Sequence, residues 1–412
     1  MSAKGSLHLS EFQKNEDSKI ISGEIPYYSA LRRYLILVGQ HPDQTSLIRN
    51  SVLYFYLFNL VSLLVPTFIK ITTASRDKDT DGILECVPVV VTIGIASTKI
   101  VNLNANREQF RAMYDLVVKE WQSLRQTDEL YVLDKVSGKG NTVALLYRRT
   151  LLTFGSTFIV LPIMPIFLDV ILPLNETRSK IQLFRLDYLV DDNEYFFPIY
   201  MHAMLAAVTV VIIILAVDSF YMLLSHHACG LFAICGFQIK RATKTNSEDI
   251  HSISDERVIY RQFRKCAMSH KKAIHFYELL ENMNRKSFLL QIGFIMIGIS
   301  VTAVQTMMNI DNKSEALRIA LFLGGQQFHL FFTCLPGQRL VDHSLQLGED
   351  LYTSEWYQTP VRIQKLLIIM QMRSGIPCTL SAGGMYNLNI ENYGIIFKTC
   401  MSYFTMLMSL RE

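Results

Sequence analysis

Long apolar stretches recur along the chain, each close to the ~20 residues that a helix needs to cross a bilayer. Five of them contain no charged residue, and they cover residues 51–69, 150–168, 195–217, 287–310 and 319–338. Two more, 83–103 and 378–410, are interrupted by charged side chains, namely Glu85 and Lys99 in the first and Glu391 and Lys398 in the second. The pattern predicts an all-α integral membrane protein with seven transmembrane helices.

Two segments between the spans also have a helical pattern. After the second span, apolar residues recur three and four positions apart, and they are Phe110, Met113, Tyr114, Val117, Val118, Trp121 and Leu124. We expect this segment to form a packed helix that extends the spans, in preference to an amphipathic helix lying on the bilayer. The fourth span continues without a charge from Ser219 to Ile239, so its helix should protrude beyond the membrane.

The composition agrees with a lipid environment. Of the 412 residues, 50% are hydrophobic and only 18% are charged, which is more apolar surface than one soluble core needs. The net charge of +4 is small and the basic residues are spread along the chain, so nucleic-acid binding is not supported. The seven cysteines are odd in number and widely spaced, and His226, His227, Cys229 and Cys235 lack a zinc-site spacing. No disulfide framework, metal site, cofactor or enzymatic activity is predicted.

Lysine and arginine are concentrated in alternate loops. The loops after the first, third and fifth spans hold 8 of these residues, and the amino-terminal segment with the other loops holds more than three times as many. The positive-inside rule therefore places the amino terminus in the cytoplasm, and seven spans place the carboxyl terminus outside. The two sequons begin at Asn175 and Asn312, both in loops assigned to the exterior, and both are candidate glycosylation sites.

An ordered set of short motifs occupies the last quarter of the chain. In chain order they are Cys334-Leu335-Pro336-Gly337-Gln338-Arg339-Leu340, Ser344, Tyr352, Trp356-Tyr357, Arg373-Ser374, Pro377, Ala382-Gly383 and Ser402-Tyr403-Phe404-Thr405. Taken together, this set resembles the insect odorant receptors. Upstream, His270, Phe276 and residues 287–293 are similar to that family's connection between the fourth and fifth spans.

The resemblance implies an odorant-binding tuning subunit of a ligand-gated, non-selective cation channel. Such a subunit forms a heterotetramer with an odorant co-receptor in the plasma membrane, here expected in olfactory sensory neuron dendrites, and it binds volatile apolar molecules. The chain would divide into a cytoplasmic segment (1–50), ligand-binding helices one to six with cytoplasmic extensions (51–336), a cytoplasmic anchor (337–377) and a pore-lining final helix (378–412). Trp356 and Tyr357 would lie at the anchor interface, since aromatic side chains suit such contacts.

The resemblance also places a gate near the end of the last helix. Carried over through Tyr403 and Phe404, it would consist of Met406, Ser409 and Leu410, which face one direction at a spacing of i, i+3 and i+4. A hydrophobic ring of this kind blocks ions by dewetting. Ser409 departs from the Gln of the co-receptor and of gustatory relatives, which favours a tuning subunit.

The ligand site implied by the resemblance lies in the outer halves of the second, third, fourth and sixth spans. The candidate residues there are Val89, Ile93, Phe158, Ile159, Ile163, Phe197, Tyr200, Met201, Met204 and Phe322. Tyr200 is the best hydrogen-bonding candidate among them. A lining rich in Met and poor in hydroxyl groups would suit esters, ketones or hydrocarbons.

Two other functions compete with this interpretation. A gustatory receptor of the same fold would form a channel without the co-receptor. A G-protein-coupled receptor would have its amino terminus outside, which the charge distribution opposes, and the chain has neither an Asp-Arg-Tyr triplet nor an Asn-Pro-x-x-Tyr motif.

Overall fold

The structure is a computed structural model that describes residues 27–41, 44–172, 178, 180–245 and 253–410. The helices of the described residues are α1 (Ser29–Leu37), α2 (Ser46–Arg76), α3 (Thr80–Ala105), α4 (Arg107–Ser123), α5 (Glu129–Val160), α6 (Met164–Ile171), α7 (Phe196–Thr245), α8 (Ile253–Met308), α9 (Lys313–Tyr352), α10 (Val361–Ser374) and α11 (Ile390–Ser409). Short 3-10 turns lie at Leu161–Ile163 and Trp356–Gln358, and two strands, β1 (Ser381–Ala382) and β2 (Tyr386–Asn387), form an antiparallel hairpin.

Six of these helical units are long and apolar enough to cross a membrane: α2, α3, the run from α5 through α6, α7, α8 and α9. The prediction of an all-helical membrane fold is therefore confirmed in this form. The crossing by α11, a helix of 20 residues, and the sidedness of the chain stay predictions. Below, "outer end" means the end that carries residues 77–79 and 309–312, and "inner end" means the opposite one.

Two predicted boundaries differ from the structure. The third span is not one regular helix, because Pro162 and Pro165 lack a backbone donor and convert residues 161–163 to a 3-10 turn. The last helix begins at Ile390 and not at residue 378, because Gly383 and Gly384 adopt positive φ angles of +66° and +79° and turn the chain into the hairpin. A side-chain cap then starts α11, where Asn389 accepts a hydrogen bond from the backbone nitrogen of Asn392 at 2.8 Å.

The long helix α7 is the centre of the molecule, and it packs against α1, α2, α3, α4, α5, α8 and α9. It continues unbroken for 50 residues, as the uncharged extension predicts. The packed helix expected after the second span is also present as α4, where Phe110, Met113, Val117 and Trp121 are buried. The Phe110 ring lies 5.5 Å from that of Phe220 in α7, so this segment belongs to a helical bundle.

The hairpin is fixed to α8 and α9 before α11 begins. The backbone nitrogen of Ser381 donates to Glu281 of α8 at 2.8 Å, and that of Cys378 donates to the Ser344 hydroxyl of α9 at 3.0 Å. Gly337 of α9 has no side chain to keep the hairpin away: a Cβ there would lie 1.9 Å from the carbonyl oxygen of Leu388. The start of α11 is therefore held rigidly to the inner part of α9.

Candidate functional site

An apolar cavity of about 140 Å³ lies between α2, α3, α5, α7 and α9. Its walls consist of aliphatic, aromatic and small residues, with three polar side chains among them. The lining residues are Leu63, Val89, Thr92, Ile93, Ile95, Leu151, Phe154, Gly155, Phe158, Phe184, Ala206, Ala207, Val210, Val211, Ile214, Phe322, Gly325, Gln326 and His329. A concave, mostly apolar space with a few polar groups has the character of a small-molecule site.

Four of the ten predicted ligand residues meet at this cavity: Val89, Ile93, Phe158 and Phe322. The rings of Phe158 and Phe322 lie 5.3 Å apart. Phe184, from the segment that follows α6, adds a third ring 5.8 Å from that of Phe158. Val89, Phe158, Phe184 and Phe322 also line a smaller space of about 50 Å³ next to the first.

The other six predicted residues, Ile159 among them, do not line this cavity. Ile163, Tyr200 and Met204 belong to an adjoining apolar cluster with Leu183 and Phe196, against which Phe158 and Phe184 of the cavity also pack. The Tyr200 hydroxyl donates to the carbonyl oxygen of Ile159 at 2.6 Å, so its hydrogen bond stays within the protein. The remaining two, Phe197 and Met201, are one helical turn apart and therefore lie on the same face of α7. This face points away from the protein, and 61% of the Phe197 surface and 54% of the Met201 surface are exposed.

Several cavity residues have no strong sequence signal. The face of α7 that lines the cavity uses Ala206 and Ala207, which a search for aromatic and Met residues does not select. Phe184 lies in a polar connection, so its position against the spans depends on how that connection folds back. Gln326 and His329 fall within an apolar span, and a polar side chain in such a span indicates a functional position.

The segment 183–188, here called the lid segment, is tied over the outer end of the cavity by its backbone. Lys70 of α2 donates to the carbonyl oxygen of Arg185 at 2.7 Å, and Arg318 of α9 donates to that of Leu183 at 2.7 Å. Because these bonds use backbone carbonyls next to Phe184, they fix the position of its ring above the cavity.

Ion pairs reinforce this attachment. Glu85 of α3 contacts Lys70 at 2.5 Å and Arg185 at 3.0 Å, and Arg185 also lies 3.4 Å from Glu315 of α9. Glu315 pairs in turn with Arg318. Glu85, which interrupts the second predicted span, therefore lies at the outer end and pairs with two basic side chains, Lys70 and Arg185.

A hydrogen-bonded chain holds the end of the lid segment to α7 and α2. The Ser62 hydroxyl donates to the carbonyl oxygen of Asn59 at 2.8 Å, so it accepts from Nε2 of His202, which lies 2.8 Å away. Nδ1 of this ring then accepts from the Tyr188 hydroxyl at 2.9 Å. Burial raises the pKa of Tyr188 to about 12, so its hydroxyl keeps the proton that it donates.

Beneath the cavity, four buried polar side chains from four helices meet. The Asp218 carboxylate of α7 pairs with Lys99 of α3, accepts a hydrogen bond from the Tyr147 hydroxyl of α5 at 2.6 Å and lies 3.1 Å from Nε2 of His329 in α9. Lys99 is only 1% exposed, so its charge depends on Asp218 for compensation. This arrangement explains how a lysine is accommodated in the second span, and His329 connects it to the cavity wall.

The predicted gate residues lie on an unpartnered face of α11. Met406, Ser409 and Leu410 are all exposed, whereas Ile396 and Cys400 are the buried residues of this helix. At the inner end, Trp356 is half-buried against the core and Tyr357 is exposed. Both predicted surfaces are therefore open to contact with other chains.

The glycosylation candidates have different outcomes. Asn175 lies outside the described residues. Asn312 caps α9, where its side chain accepts a hydrogen bond from the backbone nitrogen of Glu315 at 3.4 Å.

The four His and Cys residues whose spacing does not fit a zinc site lie in the packed interior of the structure. His226, His227, Cys229 and Cys235 are buried in the α7 extension, and Nδ1 of His226 donates to the carbonyl oxygen of Met222 at 2.6 Å. Within the described ranges, no group of three or more His, Cys, Asp or Glu side chains has the arrangement of a metal site.

The fold and its internal cavity define the class as an all-helical membrane protein with space for a small molecule. A family model described as 7tm Odorant receptor matches residues 79–401. The chain therefore belongs to the odorant receptor family, and this match favours the odorant branch over the gustatory alternative.

Individual relatives agree with the family match. Odorant receptor Or2 of Anopheles gambiae is 22% identical over 43% of this chain and 48% of the relative. Odorant receptor 9a of Drosophila melanogaster is 22% identical over 52% of each chain, so these two matches span about half of each relative. Odorant receptor 82a of Drosophila melanogaster is 20% identical over 92% of this chain and 98% of its own length.

Solved structures share the same fold. The olfactory receptor OR5 from Machilis hrabei in complex with eugenol superposes with a TM-score of 0.74 at 12% identity, covering 93% of this chain and 98% of that one. The structure of OR5 described without eugenol gives a TM-score of 0.70 over the same shares.

Proposed function

We propose that the chain is the odorant-binding tuning subunit of a ligand-gated, non-selective cation channel that works with an odorant co-receptor in the plasma membrane of olfactory sensory neuron dendrites. The observation that carries this proposal is the apolar cavity between five helices of an odorant receptor family member. Volatile molecules have few polar groups, so their affinity comes mainly from burying apolar surface in such a space.

The sidedness of the lid segment supports ligand access from the exterior. In the proposed orientation, the amino terminus is cytoplasmic and the lid segment lies on the extracellular side, as the distribution of Lys and Arg predicts. Phe184 then stands between the cavity and the exterior, and the ion pairs of Arg185 hold it there.

The exposed face of α11 supports its role as the seventh, pore-lining span. This helix packs mainly on α8 and α9, so in a membrane its opposite, exposed face must meet lipid, water or another subunit. In an assembly with a central pore, Met406 and Leu410 would narrow the passage and Ser409 would add a hydroxyl between them. An apolar constriction of this kind blocks ions until it widens.

An exposed apolar surface at the inner end supports assembly through the anchor. Around α10 the exposed large side chains are Tyr352, Tyr357, Val361, Ile368, Ile369, Met372 and Ile376. A cluster of this size is unusual on a monomer and is typical of a protein interface. We propose that this surface binds the co-receptor subunits, with Tyr357 at the contact and Trp356 supporting it from the side of the core.

Recording ligand-evoked currents in cells that express the chain with and without a co-receptor tests this proposal. We expect a cation current in the co-expressing cells only. A current without any co-receptor would favour a gustatory-type channel, and a response abolished by G-protein blockade would favour a coupled receptor.

A pair of variants links the current to the cavity. Ala207→Leu adds three carbons to the cavity lining, so it should raise the ligand concentration needed for half-maximal current. Met201→Leu is the control, because Met201 is a predicted ligand residue that is exposed and does not line the cavity. Equal effects of the two variants would contradict ligand binding in this cavity.

A further inference from the structure

The cavity is apolar except for Thr92, Gln326 and His329. A polar group buried without a hydrogen bond costs free energy, so each of these side chains needs a partner in the protein or in the ligand. Their hydrogen bonds therefore indicate what a bound molecule would have to supply.

The amide of Gln326 is the group that lacks a partner. It makes no hydrogen bond to any residue that the structure describes, and its Oε1 atom is buried. Gly298 of α8 leaves room for this amide, since a Cβ there would lie 3.2 Å from Nε2 of Gln326. A glutamine amide provides two donors and one carbonyl acceptor, so both kinds of bond are open to a ligand.

The other two polar groups provide acceptors. The Thr92 hydroxyl donates its proton to the carbonyl oxygen of Pro88 at 2.6 Å, which leaves only lone pairs on its oxygen. Asp218, paired with Lys99, is a carboxylate that only accepts, so Nε2 of His329 carries the proton of the contact between them. In the neutral ring Nδ1 of His329 is then an acceptor, and no hydrogen bond to it is found within the described ranges.

We infer that the cavity selects small odorants that carry a hydroxyl group, which accepts a hydrogen bond from the Gln326 amide and donates one to an acceptor of the lining. This inference rests on the proposed function and specifies its ligand class. A ketone could accept from Gln326 but would leave Oε1 without a donor, and a hydrocarbon would leave the whole amide unpaired. The order of affinity is therefore alcohol, then ketone, then hydrocarbon, which differs from the esters, ketones or hydrocarbons that the sequence suggests.

The size of the cavity limits the apolar part of the ligand. Its 140 Å³ is close to the ~150 Å³ of an engineered cavity that binds benzene. A six-membered ring with one small substituent is therefore a suitable probe. Cyclohexanol, cyclohexanone and methylcyclohexane have the same number of heavy atoms and differ in the polar group alone, so they separate hydrogen bonding from size.

The test measures the dissociation constant of each probe for the full chain in lipid nanodiscs, from the increase of its unfolding temperature with probe concentration. For the natural chain, we expect cyclohexanol to bind about tenfold more tightly than methylcyclohexane, with cyclohexanone between them. Gln326→Met keeps an unbranched side chain and removes the amide, so it should abolish most of this preference while methylcyclohexane binds as well or better. Gln327→Met is the matched control, because Gln327 is the adjacent glutamine and is absent from the lining.

Equal affinities for the three probes in the natural chain would overturn the inference, and this result does not depend on how any variant folds. A loss of preference in Gln327→Met equal to that in Gln326→Met would also overturn it. The channel proposal fails separately: binding in the expected order without any current in co-expressing cells would refute the channel and leave the ligand class standing.

Discussion

At the scale of single residues, the buried carboxylate of Asp218 is the shared partner of three other buried side chains. It contacts Lys99, Tyr147 and His329. Removing one partner of a buried ion pair leaves the other charge without compensation, which costs far more than the pair itself contributes. Asp218 therefore holds four helices together beneath the cavity and fixes the orientation of the His329 ring.

We predict that Asp218→Asn lowers the free energy of unfolding by about 3–5 kcal/mol, because Lys99 would keep a buried charge without a counter-ion. Thermal unfolding of the purified chain measures this loss. Asp128→Asn is the control, since Asp128 pairs with Arg241 at 2.8 Å and both side chains are mostly exposed. This second variant should change stability by less than about 1 kcal/mol. Similar losses of unfolding free energy in the two variants would show that the buried Asp218 pair contributes no more to stability than the exposed Asp128 pair.

Tyr200 illustrates how a plausible ligand residue can have a structural partner instead. Its hydroxyl is bonded to the carbonyl oxygen of Ile159, so we predict that Tyr200→Phe lowers the free energy of unfolding by about 1 kcal/mol and leaves odorant affinity unchanged. Thermal unfolding and dose–response curves measure the two quantities separately. A large loss of affinity at unchanged stability would place the Tyr200 hydroxyl at the ligand.

At the scale of elements, the sequence predicts the helices that have a continuous apolar pattern. The uncharged run to Ile239 and the spacing from Phe110 to Trp121 correspond to the long α7 and to α4. The start of α11 was not predictable in this way, because residues 378–389 are apolar enough to continue the pattern and only the local turn at Gly383 and Gly384 breaks it.

The candidate site was predictable only in part for a related reason. Hydrophobic pattern identifies a membrane helix, but in a helix that is apolar on all sides it does not indicate the direction of each face. The same pattern therefore predicts Val89 and Phe322, which line the cavity, and Phe197 and Met201, which are exposed on the opposite face. Phe184 depends on long-range bonds of the lid segment, which no local pattern contains.

Gly337 is the point where α9 and the hairpin come closest, so the position of α11 depends on it. We predict that Gly337→Ala lowers the free energy of unfolding by about 3 kcal/mol, the upper end for overpacking, because its Cβ would meet a backbone oxygen at 1.9 Å. Thermal unfolding and surface expression measure the effect. Gly394→Ala in α11 is the control, since a Cβ there has no atom within 4 Å, and this variant should be neutral or stabilising. Unimpaired folding of Gly337→Ala would contradict a rigid junction.

At the scale of the whole molecule, four features follow one another from the outer end to the inner end. The lid segment covers the cavity, the cavity rests on the Asp218 cluster, and α7, α8 and α9 continue from there towards the exposed apolar surface around α10. The helix α11 packs on α8 and α9, so a change in the cavity wall formed by α9 has a direct mechanical route to the proposed gate.

The central claim is that α11 lines an ion pathway whose mouth is extracellular, and cysteine accessibility at Ser409 tests it most directly. All seven native cysteines are buried, so a charged, membrane-impermeant thiol reagent should modify few sites other than the introduced cysteine. During ligand-evoked current in cells with the co-receptor, we expect the reagent applied outside to block Ser409→Cys channels. It should leave Met408→Cys channels unaffected, because Met408 is partly buried on the opposite side of α11. Block of Ser409→Cys only from the cytoplasmic side, or from neither side, would contradict the account.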